Sequence, residues 1–274
     1  MSVFVNYRLQ NGAKIKNKGD NLVTEVKIRL AEKNILARVS HQYTLDFLLG
    51  YYSEFDTPDL EVTVYPTDIL AEKQKSDEEA ELEGIPKVNY PDSYLETLAL
   101  YRKIAEGLID FGIILFHGST LELDGEAFLF TAKSGTGKST HTRLWREVYG
   151  DRVRMVNDDK PLIAISDESV RVYGTPWNGK HRLGENISAP LAAICILERG
   201  KENSITELKP SSEFPKILSQ TYRKSDADFM RKTLSLLSKL LSKIRVYKLY
   251  CNMNPEAARV AYEGMKGRNN EIKS

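Results

Sequence analysis

The sequence predicts an α+β protein, a mixed α/β fold, with two domains. Alternating apolar and polar residues are frequent in the first 66 residues, as in half-buried strands. Later segments mix consecutive strands, hairpins and helices without a regular strand–helix alternation. Glycine and proline in residues 84–91 interrupt a charged helical segment. We therefore expect a smaller, strand-rich N-terminal domain over residues 1–85 and a larger domain over residues 86–274.

The N-terminal domain should contain strands, a short helix and one charged helix. Residues 26–30 and 60–64 alternate strictly between apolar and polar side chains, which predicts strands. Residues 44–52 between them predict a short helix. The Glu/Lys-rich residues 67–82 predict a helix with one solvated face.

The second domain should begin with a helix that runs from Asp92 and Ser93, both suitable N-cap residues, to residue 110. Asp124-Gly125 predicts a tight turn between two strands, because both residue types accept positive φ. The other expected elements are, in order, strands at 113–117, 121–123 and 127–130, a helix at 139–148, a strand at 153–156, a hairpin of 161–165 and 170–173, a strand at 190–197, helices at 213–221 and 226–243, and a final strand and helix that end at residue 265.

Composition excludes several classes of partner. The chain has 274 residues, 41% hydrophobic and 28% charged, and its net charge is +1 from 39 basic and 38 acidic residues. Such a balance gives no field that would gather nucleic acid or an anionic membrane. No apolar run reaches the length of roughly 18 residues that spans a bilayer, and residues 1–8 lack a signal-peptide core. We expect a cytoplasmic protein without nucleic-acid or membrane partners.

The two cysteines do not indicate a metal site or a disulfide framework. Cys195 and Cys251 lie in apolar, strand-like segments and lack CxxC spacing. Neither has an adjacent basic residue that would lower its pKa. Both are expected to be small buried hydrophobic side chains.

Residues 127–140 carry the strongest functional signal, because an apolar strand-like run leads into a glycine-bearing loop and then a helix. Glycines let backbone N–H groups turn toward phosphate oxygens, and the helix start adds its positive dipole end. Lys138 would meet the outer phosphates, and Ser139 would offer its hydroxyl to Mg²⁺. We therefore predict that ATP and Mg²⁺ bind here. The candidate phosphate loop consists of Ser134, Gly135, Thr136, Gly137, Lys138, Ser139 and Thr140.

The loop departs from the usual pattern at one position. The pattern begins with a glycine five residues before Gly137, and this chain has Ala132 there. Alanine fits without strain if its φ is negative. The alternative is an ordinary glycine-rich turn, which leaves Lys138 and Ser139 unexplained.

A pair of carboxylates follows closely. Asp158 and Asp159 come 20 and 21 residues after Lys138, at the end of a predicted strand. Adjacent side chains on a strand point in opposite directions, so one can face a metal while the other faces an acceptor hydroxyl. Neighbouring negative charges also raise one pKa, which suits a general base. The alternative is an Asn-Asp-Asp turn without function.

Several segments together resemble a known family. His117-Gly118-Ser119, the strand pair joined at residues 124–125, the phosphate loop and Asn157-Asp158-Asp159 follow one another as in HPr kinase/phosphorylase. ATP-dependent phosphoenolpyruvate carboxykinase is similar more distantly. The resemblance covers residues 112–200 and implies a P-loop nucleotide-binding core of that type. Segments 98–105, 174–180 and 251–253 are similar to those of uncharacterised HPr-kinase-like proteins, whereas the bifunctional enzyme's longer regulatory loop has no match here.

The resemblance also implies roles for single residues. Lys138 would contact the β- and γ-phosphates, and Ser139 and Asp159 would hold Mg²⁺. Asp158 would accept the proton of a serine-type hydroxyl. His117 corresponds to the family's histidine near the phosphates and the metal. The alternative for His117 is a strand-end histidine that bonds only to backbone.

A basic, glycine-punctuated segment at residues 174–186 adds further candidates. Lys180, His181 and Arg182 could supply positive charge to the transferring phosphoryl group, and we take Lys180 and Arg182 as candidate catalytic residues. Glu185 could contact metal or substrate. The alternative is a solvated loop with Trp177 packed on the domain.

Three functions are compatible with these features. The first is an ATP- and Mg²⁺-dependent kinase that phosphorylates a serine hydroxyl of a small protein or peptide. The second is a small-molecule kinase or carboxykinase-like phosphotransferase, and the third a non-catalytic nucleotide-binding regulator. The N-terminal domain could recognise an extended acceptor peptide at a strand edge. A homo-oligomer is also compatible with the sequence.

Overall fold

The computed structural model describes residues 13–18, 21–133, 135–179 and 181–266. The chain divides into two compact units, the first ending at Leu108 and the second starting at Ile109. Across the described ranges, no helix is both long and apolar enough to cross a membrane.

The described residues of the first unit form a four-stranded sheet and three α-helices. Its strand order is β1-β2-β3-β4, in which β1 to β3 are an antiparallel meander and β4 runs parallel to β3. The predicted strands and helices of this region are confirmed. The elements are β1 Ala13–Lys18, β2 Asn21–Leu30, β3 Lys33–Val39, α1 Gln42–Phe47, β4 Leu60–Thr63, α2 Pro66–Glu83 and α3 Asp92–Leu108.

Helix α3 belongs to the first unit, whereas we expected the division at residues 85/86. Its Glu96 is fully buried and accepts hydrogen bonds from the backbone N–H groups of Ser40 and His41, at 2.7 and 3.1 Å, so it caps the start of α1. Arg102 of α3 also pairs with Glu72 of α2. The Gly/Pro-rich break at 84–91 therefore joins two packed helices of one unit.

The second unit is built on a nine-stranded sheet with helices on its faces. Most predicted elements are confirmed, and β12 is an additional strand. The elements are β5 Ile113–Leu115, β6 Ser119–Leu123, β7 Glu126–Thr131, α4 Lys138–Tyr149, β8 Val153–Asn157, β9 Leu162–Ile165, β10 Val170–Tyr173, β11 Ser188–Arg199, β12 Ser204–Leu208, α5 Phe214–Gln220, α6 Ala227–Lys243, β13 Arg245–Cys251 and α7 Glu256–Met265.

Strand β11 lies at the centre of this sheet. It pairs in parallel with β7 on one side, and on the other side first with β10 and then with β13. Ile194 and Ile196 pack into one core layer with α6, and Cys195 packs into a second layer with Trp145 of α4. Both faces of β11 are thus buried, which explains its nearly continuous apolar sequence. Cys195 is buried as predicted, whereas Cys251 is only partly buried.

The turn between β6 and β7 is the one predicted from Asp124-Gly125. The φ values of the two residues are 55° and 87°, both in the left-handed region that a two-residue hairpin needs. The tight turn makes β6 the antiparallel neighbour of β7.

Candidate active site

Several of the predicted site residues lie at one edge of the second unit's sheet. Strand β6 lies between β7 and β8 and is antiparallel to both, so β7 and β8 run in the same direction. The carboxyl ends of β7 and β8 and the amino end of β6 therefore share one edge. The phosphate loop follows β7, the aspartate pair follows β8, and His117 and Ser119 mark the start of β6.

The phosphate loop has the backbone conformation that its glycines allow. Gly135 and Gly137 have φ values of 74° and 119°, in the left-handed region. Ala132 does not have a positive φ, so alanine is accommodated there without that strain. Arg199, at the end of β11, donates a hydrogen bond of 2.7 Å to the carbonyl of Gly135 and ties the loop to the sheet edge. Ser134 lies outside the described residues.

Helix α4 begins at Lys138 without a side-chain cap. Its N-cap is Gly137, which has no side chain to accept a hydrogen bond from the first-turn N–H groups. Those N–H groups, together with the positive end of the helix dipole, form an environment that favours anions. Lys138 is half-buried, and burial lowers its pKa, while the charge of Asp159 opposes that shift. This lysine therefore lies within electrostatic range of the aspartate pair.

Asn157 organises the turn that carries the two aspartates. Its side chain is fully buried, and Oδ1 accepts hydrogen bonds from the backbone N–H groups of Asp159 and Lys160, at 2.8 and 2.6 Å. Its Nδ2 donates to the carbonyl and hydroxyl oxygens of Thr175, at 3.2 and 3.0 Å. The Asn-Asp-Asp segment thus forms an Asx turn, as its residue types favour, and this turn determines the positions of both carboxylates.

Asp158 is nearly buried among hydroxyl groups. The Ser119 hydroxyl donates to its Oδ1 over 3.1 Å, and the Ser139 hydroxyl is close enough to lower the pKa of this carboxyl. Burial raises the pKa of Asp158 above its usual range, although these two hydroxyl groups oppose the shift, and the charge of Asp159 adds to it. A Cβ on Gly179 would approach Asp158 Oδ2 to 2.9 Å, so a backbone without a side chain covers this carboxylate.

Asp159 lies beside a histidine and a lysine. His117 Nε2 and Lys160 Nζ are 3.3 and 3.5 Å from its Oδ1. Burial works to raise the pKa of Asp159, but the His117 hydrogen bond and the Lys160 charge outweigh it and leave that pKa below its usual value. The two neighbouring carboxylates therefore have pKa values shifted in opposite directions, which is the arrangement that separates a proton acceptor from a permanently charged ligand.

His117 makes a side-chain contact within the site. Its side chain faces Asp159, while its backbone N–H donates to the Gln220 carbonyl over 2.7 Å and its carbonyl accepts from Thr131 Oγ1 over 3.2 Å. The histidine is thus fixed by backbone contacts, and its imidazole reaches a predicted metal ligand.

The residues that follow β10 differ in how close they lie to the candidate active site. Trp177 is buried, and Glu185 forms an exposed ion pair with Arg154 at 3.0 Å, so it is engaged away from the aspartates. Arg182 has a φ of 48°, and its backbone N–H donates to the Gly179 carbonyl. Lys180 lies outside the described residues. His181 is close enough to Asp158 for its charge to lower that residue's pKa.

Sequence reasoning assigned no role to two residues that the structure brings into the site. Ser119 was visible only as part of the His-Gly-Ser triplet, and nothing near Arg199 in the sequence marks it as a partner of the phosphate loop. Both contacts depend on strand order, since β6 and β11 flank β7 on opposite sides.

Known proteins resemble this chain only distantly. A scan against protein-family models found no match, and a search of curated proteins likewise found none. Among solved structures, the Hpr(Ser) kinase/phosphatase from Coxiella burnetii is similar over 56% of this chain and 99% of its own, with 12% sequence identity and a TM-score of 0.30. A likeness at this identity and TM-score does not show that the two proteins share a function.

Proposed function

We propose that the protein is a kinase that transfers the γ-phosphate of ATP to a hydroxyl group, in particular to a serine of a small protein or peptide. The single observation that carries the proposal is the aspartate pair beside the start of α4, in which one carboxylate has a raised pKa and the other a lowered pKa. A phosphoryl transfer site needs an anion-binding loop, a lysine, a metal ligand and a proton acceptor. Each has a candidate at this edge.

The reaction assigns a proton-transfer role to Asp158. The acceptor oxygen forms a bond to the γ-phosphorus while the bond between that phosphorus and the β,γ-bridging oxygen breaks. ADP leaves with the bonding electron pair, and the hydroxyl proton passes to Asp158. A carboxylate with a raised pKa holds that proton better than an ordinary aspartate. Lys138 stabilises negative charge on the outer phosphates, and Arg182 is a candidate for the same task during transfer.

The donor set fits Mg²⁺. Magnesium takes oxygen ligands, and in nucleotide sites it uses one or two protein groups beside phosphate oxygens. The Ser139 hydroxyl and the Asp159 carboxylate are oxygen donors at this sheet edge, and Asp159 is held in its charged form by His117 and Lys160. When bound, Mg²⁺ would neutralise charge on the β- and γ-phosphates.

A cavity of about 540 Å³ beside the phosphate loop is our candidate for the nucleoside. Loop residues 135–137 line it together with Thr140, Leu144, Asn252 and Met253. Leu144 and Met253 supply apolar contacts for a flat heterocycle, and Thr140 and Asn252 supply polar groups that could orient it. We expect Met253→Ala to weaken binding of ATP and to leave binding of inorganic tripolyphosphate unchanged, because the latter lacks a base.

The test of the proposed function is transfer of labelled phosphate from ATP–Mg²⁺ to peptides in a cell extract. The unmodified protein should label an acceptor, and Asp158→Asn should not, while both should be stabilised by ATP–Mg²⁺. Asp167→Asn is the matched control, since Asp167 lies in the β9–β10 turn and pairs with Lys239. Stabilisation by ATP without any transfer would favour the non-catalytic regulator, and no stabilisation would refute nucleotide binding.

A further inference from the structure

A second cavity, of about 460 Å³, lies along α4. Three of its side chains can carry positive charge, and none is acidic. It is lined by Ser139, Thr140, Arg143, Arg146, His181 and Leu183. A cavity with this lining favours an anionic ligand.

The cavity begins at the reaction centre and extends along the helix. Ser139, Arg143 and Arg146 are spaced i, i+4 and i+7 on α4, so they share one face of that helix. Ser139 and His181 are both close enough to Asp158 to affect the pKa of its carboxylate. A molecule whose hydroxyl lies at Asp158 therefore has this basic cavity beside it.

Arg143 and Arg146 differ in the partners that their guanidinium groups already have. Arg143 is exposed and pairs with Glu147 on the next turn of the helix. Arg146 is partly buried, and its Nε is a buried donor with no hydrogen-bond partner among the described residues. A guanidinium held in a partly buried position without an acceptor costs free energy, and a carboxylate in the cavity can form strong, often bidentate bonds to the part of the Arg146 guanidinium that lines it. Arg146 is thus the residue from which a ligand would gain most.

We propose that this cavity binds a carboxylate of the phosphoryl acceptor, so that the protein selects hydroxyl groups that have a carboxylate nearby. The proposal rests on the proposed function and adds a substrate class to it. The carboxylate can come from an acidic side chain next to the serine or from the free C-terminus of a peptide that ends in serine. Arg146 supplies the specific contact, Arg143 supplies further positive charge, and His181 lines the cavity beside them.

The test measures binding of fluorescently labelled short peptides to the full-length protein with a non-hydrolysable ATP analogue and Mg²⁺. Four peptides share one serine: one has neutral flanks and an amidated end, one has glutamate flanks, one has lysine flanks, and one ends in serine with a free carboxylate. At physiological ionic strength, where long-range attraction is screened, a carboxylate-bearing peptide should bind roughly tenfold more tightly than the neutral and lysine peptides. The tighter of the two carboxylate peptides identifies the source.

Arg146→Gln should abolish that preference and leave the stabilisation by the ATP analogue unchanged. Arg152→Gln is the matched control, because Arg152 follows the same helix but pairs with Asp124. Equal dissociation constants for all four peptides, or a preference that survives Arg146→Gln, would overturn the proposal even if the analogue binds. Loss of analogue binding in Arg146→Gln would also overturn it, since the cavity would then serve the nucleotide. Failure of the unmodified protein to bind the analogue would instead count against the proposed function.

Discussion

Replacing Asn157 with alanine should destabilise the second unit and disable the site together. The buried side chain satisfies two backbone donors, at Asp159 and Lys160, and two acceptor atoms of Thr175. An unsatisfied buried polar group costs about 1–3 kcal/mol, and water can enter to satisfy some of the four groups, so we expect a loss of roughly 2–5 kcal/mol in the free energy of unfolding. Urea unfolding measures that loss.

The same substitution should also slow phosphoryl transfer. Without the amide the turn is free to move, and a displacement of reacting groups by about 1 Å costs on the order of a hundredfold in rate. Single-turnover transfer at a temperature where the variant is folded measures this effect. Stabilisation by ATP–Mg²⁺ should persist, because the hydrogen bonds of the Asn157 side chain lead to its own turn and to Thr175. Asn254→Ala is the matched control: the Asn254 side chain accepts a hydrogen bond from the Glu256 N–H at the start of α7, and its loss should leave transfer unchanged.

A double-mutant cycle with Thr175→Val separates the hydrogen bonds from simple cavity formation. If the contact between Asn157 and Thr175 holds the turn, the two substitutions together should cost less than the sum of the single losses, with a coupling free energy of about 0.5–3 kcal/mol. A loss below about 1 kcal/mol in Asn157→Ala, with a transfer rate equal to that of the unmodified protein, would refute the reasoning.

Three further predictions concern the loop, the aspartates and a buried histidine. Lys138→Ala should abolish the rise in unfolding temperature that millimolar ATP–Mg²⁺ produces, and an unchanged rise would contradict the assignment. Asp158→Asn should keep that rise but lose transfer, whereas Asp159→Asn should raise the Mg²⁺ concentration at half-maximal rate; normal rates in both would exclude the proposed roles. Burial lowers the pKa of His141 to about 3. Because the unfolded chain then takes up the proton near pH 6.5 and the folded chain does not, stability falls as the pH drops, by roughly 2 kcal/mol between pH 7 and pH 5. Urea unfolding of His141→Gln should lack this part of the pH dependence, and an unaltered slope would show that His141 is not buried in its neutral form.

The sequence was sufficient for most elements because their periodic patterns are local. The alternation at residues 60–64 and the Asp124-Gly125 turn each reflect a preference that neighbouring residues determine. Strand β12 was not predicted: its five residues, Ser204–Leu208, form an edge strand in which exposed and partly exposed side chains leave only a weak signal. The division at residues 85/86 also differed from the structure, because burial of Glu96 under the start of α1 depends on tertiary contacts.

The candidate site was predictable to the extent that it follows from motifs in sequence order. The candidate phosphate loop and the aspartate pair were predicted from their residue types, and the structure brings the two segments to one sheet edge. The sequence could not predict which of the two carboxylates has the raised pKa, because the pKa of each one depends on residues that come from other strands. Ser119 reaches Asp158 from the first position of β6, and His117 reaches Asp159 from the segment that leads into that strand.

The strand order explains why strands β6 to β8 and the residues at their ends suffice to place the groups that the proposed reaction needs. A tight turn folds β6 back against β7, and after α4 the chain returns on the far side of β6 as β8. The amino end of β6 therefore lies between the carboxyl ends of its two neighbours, and it delivers a hydroxyl to Asp158 and an imidazole to Asp159. One antiparallel strand thus gives two adjacent carboxylates different environments. If β6 instead lay at the outside of this trio, His117 could not reach Asp159, and Asp159 would lose the hydrogen bond that helps to hold its pKa below the usual value.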